Sequence, residues 1–150
     1  PPHMTISAIE ARDVSVLVSG FNKLKGQLLK GNIRFVSVGQ LLPYVIYATP
    51  VMNEYLLDIS KNVYEIYKDV PETTISRYYR PLSWLPHVTL GKTLDKEQMR
   101  SAFEVLQESF SPFEATVTSC PNERKPSASE QCTLLYSPIN NIFISDNKDK

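Results

Sequence analysis

The chain has 150 residues, 42% of them hydrophobic, and its 16 basic residues balance 16 acidic ones. This length and composition predict a single domain with a real core, and the neutral balance argues against a broad basic surface for duplex nucleic acid. Neither a run of about 18 apolar residues nor a signal-peptide pattern is visible, so we expect a cytoplasmic protein that does not span a membrane.

The first half of the chain predicts a strand, a helix and two further strands. A short strand begins at His3. Asp13 is a plausible N-cap for a helix with apolar residues at helical spacing: Val14, Leu17, Val18, Phe21 and Leu24. Residues 33–38 and 44–48 are rich in branched and aromatic side chains and predict two strands, separated near Pro43.

The second half begins with another helix, whose apolar face is Met52, Leu56, Ile59, Val63 and Ile66. A polar and aromatic connection over 69–85 leads to a strand at His87. Asp95 and Gln98 have the spacing of a capping box for a third helix. Residues 113–119 and 132–136 predict strands joined by a polar loop over 121–131, and the charged tail from Asp146 is expected to fray.

The two histidines of the chain occupy the same five-residue frame, Pro2-His3-Met4-Thr5-Ile6 and Pro86-His87-Val88-Thr89-Leu90. Residues i and i+2 of a strand project from one face, so each copy places an imidazole beside a hydroxyl while its neighbours can be buried. If the two strands are adjacent, two imidazoles and two hydroxyls share one surface.

This set of side chains is suited to phosphoryl chemistry. One imidazole can take a proton from water while the other gives a proton to the leaving oxygen. The hydroxyls of Thr5 and Thr89 can donate to the non-bridging phosphate oxygens. No metal or other cofactor is expected, because the histidines and the two cysteines, Cys120 and Cys132, lack zinc-like spacing. The cysteines are interpreted as reduced, structural thiols.

The two His-x-Thr-aliphatic motifs resemble those of the two-histidine (2H) phosphoesterase superfamily, which includes the 2′-5′ RNA ligase-like proteins and the 2′,3′-cyclic phosphodiesterases. The local match is best from Leu85 to Lys92, and the resemblance covers about residues 1–119. It implies a two-lobed, pseudo-symmetric α+β fold, with antiparallel sheets lining a central groove and helices outside. The order strand, helix, strand, strand indeed occurs twice in the predicted elements, over 3–48 and 87–136.

The resemblance also sets the expected domain organisation. Residues 1–150 would form one 2H phosphoesterase-like domain, with lobe halves at about 1–43 plus 137–145 and at 44–136. Family members usually carry a strand and helix before the first motif, so the first lobe is expected to be truncated, or partly filled by residues 142–144. The chain is expected to be a monomer or a domain of a larger protein.

The function that the resemblance implies is a metal-independent phosphodiesterase acting on 2′,5′-linked or 2′,3′-cyclic nucleotide or RNA-end phosphates. The catalytic residues would be His3, Thr5, His87 and Thr89, and the partner a small nucleotide or an oligonucleotide end. RNA ligation is the weaker expectation in water. One alternative is a non-catalytic nucleotide-binding module. Another is an α+β domain with neither role, in which His3 comes from a His-Met cloning junction.

Candidate substrate-binding residues lie around the second motif: Tyr78, Tyr79, Arg80, Trp84 and Lys92. Their rings could stack on a base and the guanidinium could hold a phosphate oxygen. The alternatives are that Tyr78 or Trp84 anchors the connection to the core and that Lys92 only solvates a strand end. The other tyrosines, at 44, 47, 55, 64 and 67, are interpreted as packing residues.

Overall fold

The computed structural model describes residues 3–13, 15–27, 30–41, 43–117 and 129–135, with side chains left out at 25–27 and 129–135. Within these ranges there are seven strands and three α-helices. In chain order they are β1 His3–Ala11, α1 Ser15–Gln27, β2 Gly31–Leu41, β3 Val45–Pro50, α2 Glu54–Tyr67, β4 Thr73–Ile75, β5 Val88–Gly91, α3 Lys96–Ser109, β6 Phe113–Val117 and β7 Ser129–Leu135. A single-turn 3-10 helix at Arg77–Tyr79 follows β4.

The predicted helices and strands are found in their predicted order. The capping box is confirmed: Asp95 accepts from the Gln98 amide, and the Gln98 side chain accepts from the Asp95 amide. Asp13 lies just before α1, and its carboxylate accepts from the Ser15 amide at 2.9 Å and the Ser15 hydroxyl at 2.7 Å. These hydrogen bonds lower the pKa of Asp13. The connection 69–85 differs from the prediction, because it contains β4 and the 3-10 turn.

Some predicted features lie outside the described residues. These are the two leading prolines, most of the loop 121–131, Cys120, the segment 137–145 and the tail from Asp146. The proposed lobe boundaries therefore stay a prediction.

All seven strands belong to one antiparallel sheet. Its order is β4-β1-β5-β3-β2-β6, and β7 also pairs with β1. Met4 of β1 has a partner in β7, Leu134, and another in β5, Val88. The strands β5 and β7 therefore flank β1 on opposite edges. The fold class is α+β with an antiparallel sheet, as predicted.

The core lies between one face of this sheet and the helices α1 and α2. It is a single cluster of buried side chains that includes Met4, Ile6, Leu17, Leu24, Ile33, Phe35, Ala48, Leu56, Val63 and Val88. Removing each large aliphatic side chain of this kind from water contributes about 1.5–3 kcal/mol. The two helices meet at Gly20, where an added Cβ would lie 2.6 Å from the Tyr67 ring, and the Tyr67 hydroxyl donates to the Leu17 carbonyl at 2.9 Å.

A β-bulge in β1 changes which side chains face this core. Thr5 pairs with Thr133 and Ser7 with Cys132, so Ile6 is an extra residue on β1. Because Thr133 and Cys132 are consecutive, Thr5 and Ser7 point to opposite faces. Ile6 and Ser7 are both buried. The alternation predicted for the first motif thus holds through Ile6, which is buried as expected, and shifts at Ser7.

In the described part of the chain, no helix has both the length and the apolar character needed to cross a membrane.

Candidate active site

The two histidine motifs lie on neighbouring antiparallel strands. Met4 of β1 is paired with Val88 of β5, and both side chains are buried in the core, at 3% and 5% exposure. The residues flanking Met4 therefore project from the opposite face of the sheet. The same holds for the residues flanking Val88. This opposite face, called the polar face below, carries His3, Thr5, Tyr47, His87 and Thr89.

The register places the four motif residues on adjacent strands. Extended by one residue in each direction, the antiparallel pairing places His3 opposite Thr89 and Thr5 opposite His87. Each imidazole is then the diagonal neighbour of the other, with about 7–8 Å between the two backbone positions. Thr5, His87 and Thr89 are half-buried and His3 is exposed. The pairing makes the two motif strands adjacent, which is one requirement for two imidazoles to reach the same phosphate.

Strand β3 gives independent support for the position of His87. Tyr47 pairs with Thr89 and Ala48 pairs with Val88, so Tyr47 also projects from the polar face. The rings of Tyr47 and His87 are in contact, with centroids 5.3 Å apart and planes inclined at 60°. His87 precedes β5 by one residue, and this contact shows that its ring lies on the same side as Thr89.

The hydrogen bonding of His87 decides which ring nitrogen can face a substrate. Its Nδ1 lies 2.9 Å from the Leu85 carbonyl oxygen, which can only accept, so Nδ1 carries the proton. Nε2 is the other ring nitrogen. It is a proton acceptor when the ring is neutral and a donor when the ring is charged. The arrangement suits either role in acid-base catalysis.

The connection before the second motif follows one edge of β1. The Ser76 amide donates to the Ala8 carbonyl at 2.9 Å, and the Trp84 indole donates to the Thr5 carbonyl at 3.0 Å. These two hydrogen bonds are made to the part of β1 that lies between its pairing with β5 at Met4 and its pairing with β4 at Ile9. Trp84 is only 5% exposed, so it matches the anchoring alternative and offers no ring face for a base.

The other candidate binding residues lie in the connection before β5 or just beyond that strand. Tyr78 is 63% exposed, and Arg77 donates to its hydroxyl at 2.7 Å with the guanidinium carbon 4.8 Å from its ring centre. Tyr79 is half-buried against the core, and burial raises its pKa. Arg80 is exposed after the 3-10 turn, and Lys92 is exposed one residue beyond β5.

Two residues of β3 were missed as site residues by the sequence analysis. Tyr47 was interpreted as a packing residue, and it lies against His87. Thr49 donates to the Pro86 carbonyl at 2.9 Å, next to His87 in sequence. The available signal was their spacing, since residues 47 and 49 share one face of a strand. What the sequence did not show is that this strand is the neighbour of β5.

A shallow groove of about 470 Å³ lies elsewhere, between the β2–β3 turn and α3. It is lined by Gln40, Pro43, Tyr44, Lys96, Met99, Arg100 and Phe103, and shares no residue with the motifs. Among the residues that the structure describes, no group of three or more His, Cys, Asp and Glu side chains could hold a metal ion.

No model of a known protein family matches the chain, and no curated protein matches it either. The 2H resemblance therefore depends on the two motifs and their placement.

Proposed function

We propose that the chain is a metal-independent phosphodiesterase that hydrolyses 2′,5′-linked or 2′,3′-cyclic nucleotide or RNA-end phosphates. The supporting observation is the Met4–Val88 pair, which makes the two motif strands direct neighbours with their histidines and threonines on one face. Two imidazoles from positions 84 residues apart in sequence thereby share a surface with two hydroxyls.

In the proposed reaction, one imidazole takes a proton from a water molecule while the water oxygen forms a bond to phosphorus. The bond from phosphorus to the ribose oxygen breaks, and the other imidazole gives its proton to that leaving oxygen. The hydroxyls of Thr5 and Thr89 donate to the non-bridging oxygens, where negative charge increases in the transition state. One ring must start neutral and the other charged, so a bell-shaped pH–rate profile is expected. The reverse reaction, which would join RNA ends, is the weaker expectation.

The proposal includes the two-lobed fold of the 2H superfamily. The order β1-α1-β2-β3 is repeated as β5-α3-β6-β7. One feature of the pairing supports such a repeat: β3 pairs with the motif strand β5, and β7 pairs with the motif strand β1. A duplicated unit that exchanges its last strand in this way would build one site from two halves.

The test is hydrolysis of a 2′,3′-cyclic nucleoside monophosphate and of a 2′,5′-linked dinucleotide in the presence of EDTA. We expect His3→Ala and His87→Ala each to lower turnover by about 10²–10⁴-fold. Thr5→Ala and Thr89→Ala should each lower it by about 10²-fold. Glu104→Gln, at an exposed position of α3, is the control and should keep wild-type turnover. Near-normal rates in both histidine variants would overturn the proposal.

A non-catalytic nucleotide-binding module is the second candidate. It is favoured by the short contact between the motif strands, whose register consists of the single pair Met4–Val88. Titration with nucleoside monophosphates separates the two functions: saturable binding without product from either substrate would establish the module, and product formation abolished by either histidine change would exclude it.

A further inference from the structure

We propose that Tyr47 and Thr49 are positioning residues that hold His87 in a single orientation and tautomer on the polar face. This inference rests on the proposed function for its effect on rate, and on the contacts of β3 for its physical basis. Neither residue belongs to a histidine motif.

The first contact is between two rings. Tyr47 projects from β3 directly opposite Thr89, and its ring packs against the His87 ring at 5.3 Å between centroids. A tilted pair of this kind is attractive beyond the effect of the area that it buries. Rotation of the imidazole about its side-chain bonds would break this contact, so the Tyr47 ring limits the imidazole to one side.

The place of the Tyr47 ring is in turn set by Gly39. Gly39 is the partner of Tyr47 on β2, and a Cβ added there would lie 2.7 Å from both Cζ and the hydroxyl oxygen of Tyr47. The tyrosine ring therefore lies over a position that has no side chain. Gly39 has no positive φ, so an alanine there is conformationally acceptable and its methyl group would displace the end of the Tyr47 side chain.

The second contact fixes the backbone that holds the imidazole. Thr49 donates to the Pro86 carbonyl, and the Leu85 carbonyl accepts from His87 Nδ1. The Nδ1 bond selects the Nδ1–H tautomer, and it forms only while residues 85–87 keep their present path beside β3. Thr49 thus acts on His87 through the backbone, whereas Tyr47 acts on the ring.

The experiment combines steady-state kinetics with nitrogen NMR of the imidazoles in the full chain. There are only two histidines, so the spectra are simple and His3 is an internal reference. We expect Tyr47→Leu to lower kcat about 10-fold with little change in KM, since a misplaced catalytic group affects the transition state more than binding. Thr49→Val should lower kcat by a smaller factor. Both variants should decrease the Nδ1–H population of His87 and leave the His3 signals unchanged.

Two controls separate positioning from a general loss of structure. Tyr47→Phe should restore kcat and the tautomer, because the ring is retained and the tyrosine hydroxyl makes no hydrogen bond to the described part of the protein. Tyr44→Leu changes an exposed tyrosine at the turn of the same hairpin and should alter neither quantity. Melting temperatures of all variants show whether each is folded.

A double-variant cycle tests the role of Gly39. Gly39→Ala should lower kcat by itself and should have no further effect when combined with Tyr47→Leu, because the methyl group acts only through the tyrosine ring. Equal effects of Gly39→Ala in both backgrounds would overturn the part assigned to Gly39.

The NMR result remains informative if the enzyme function is wrong. A shifted His87 tautomer in a protein without turnover would support the positioning role and remove the phosphodiesterase. An unchanged His87 tautomer in both Tyr47→Leu and Thr49→Val would overturn the positioning role, whatever the rates.

Discussion

Replacement of Trp84 by phenylalanine tests how the first motif strand is held at the site. The indole donates to the Thr5 carbonyl at 3.0 Å, from a side chain that is 5% exposed. The variant removes the donor and leaves a carbonyl without its partner, which costs about 1–3 kcal/mol. Loss of part of a buried aromatic ring adds a packing term of about 1 kcal/mol. We therefore expect a loss of about 2–4 kcal/mol in the free energy of unfolding.

The assay is urea unfolding followed by circular dichroism, analysed by linear extrapolation after checking that the slope is unchanged. In a domain of this size the loss corresponds to a decrease of about 10 °C in melting temperature. Tyr78→Phe is a matched control in the same connection. Tyr78 is 63% exposed, so its replacement should change stability by less than about 0.5 kcal/mol. A loss below about 0.5 kcal/mol for Trp84→Phe would refute the anchoring role.

Two further predictions concern the same connection. Leu82 is 84% exposed and has a φ of 66°, in a turn closed by the Ser83 amide on the Arg80 carbonyl. Leu82→Gly should therefore raise the unfolding free energy by about 0.5–1 kcal/mol, since glycine adopts positive φ without strain; a loss in urea unfolding would contradict this. Burial raises the pKa of Tyr79 above its ordinary value of 10.0, so the folded state keeps this proton longer than the unfolded state. Stability should be unaffected below pH 10 and decrease as the pH rises through the raised pKa, and Tyr79→Phe should lessen that decrease. Equal alkaline losses in both proteins would exclude this burial effect.

Local signals in the sequence predicted the elements well. The Asp95–Gln98 capping box needs only four consecutive residues. Helical spacing correctly predicts the buried residues Leu56, Ile59 and Val63 of α2, but it wrongly included Met52, which precedes the helix and is 42% exposed. The alternation of side chains in the first motif also follows from neighbouring residues alone, and it is confirmed for Met4, Thr5 and Ile6. The change of face at Ser7 could not be predicted, because a bulge depends on the partner strand β7.

The site itself depends on contacts that are distant in sequence. The pairing of Met4 with Val88 spans 84 residues, and the Trp84 bond to Thr5 spans 79. Nothing local distinguishes Trp84 as an anchor from Trp84 as a stacking platform, because both use an aromatic ring and a polar N–H. Tyr47 was interpreted as a packing residue because nothing in the neighbouring sequence shows that its strand lies beside β5. β4 was missed because three residues, Thr73–Ile75, are too few to show a period.

The most direct test of the shared site is a crystal structure with the product of cyclic-phosphate hydrolysis, a nucleoside monophosphate, bound to the wild-type chain. We expect one phosphate to lie within hydrogen-bond distance of a ring nitrogen from both His3 and His87, with those nitrogens about 5–7 Å apart. A phosphate that contacts only one imidazole, or that binds away from the polar face, would contradict a catalytic centre built from both motifs.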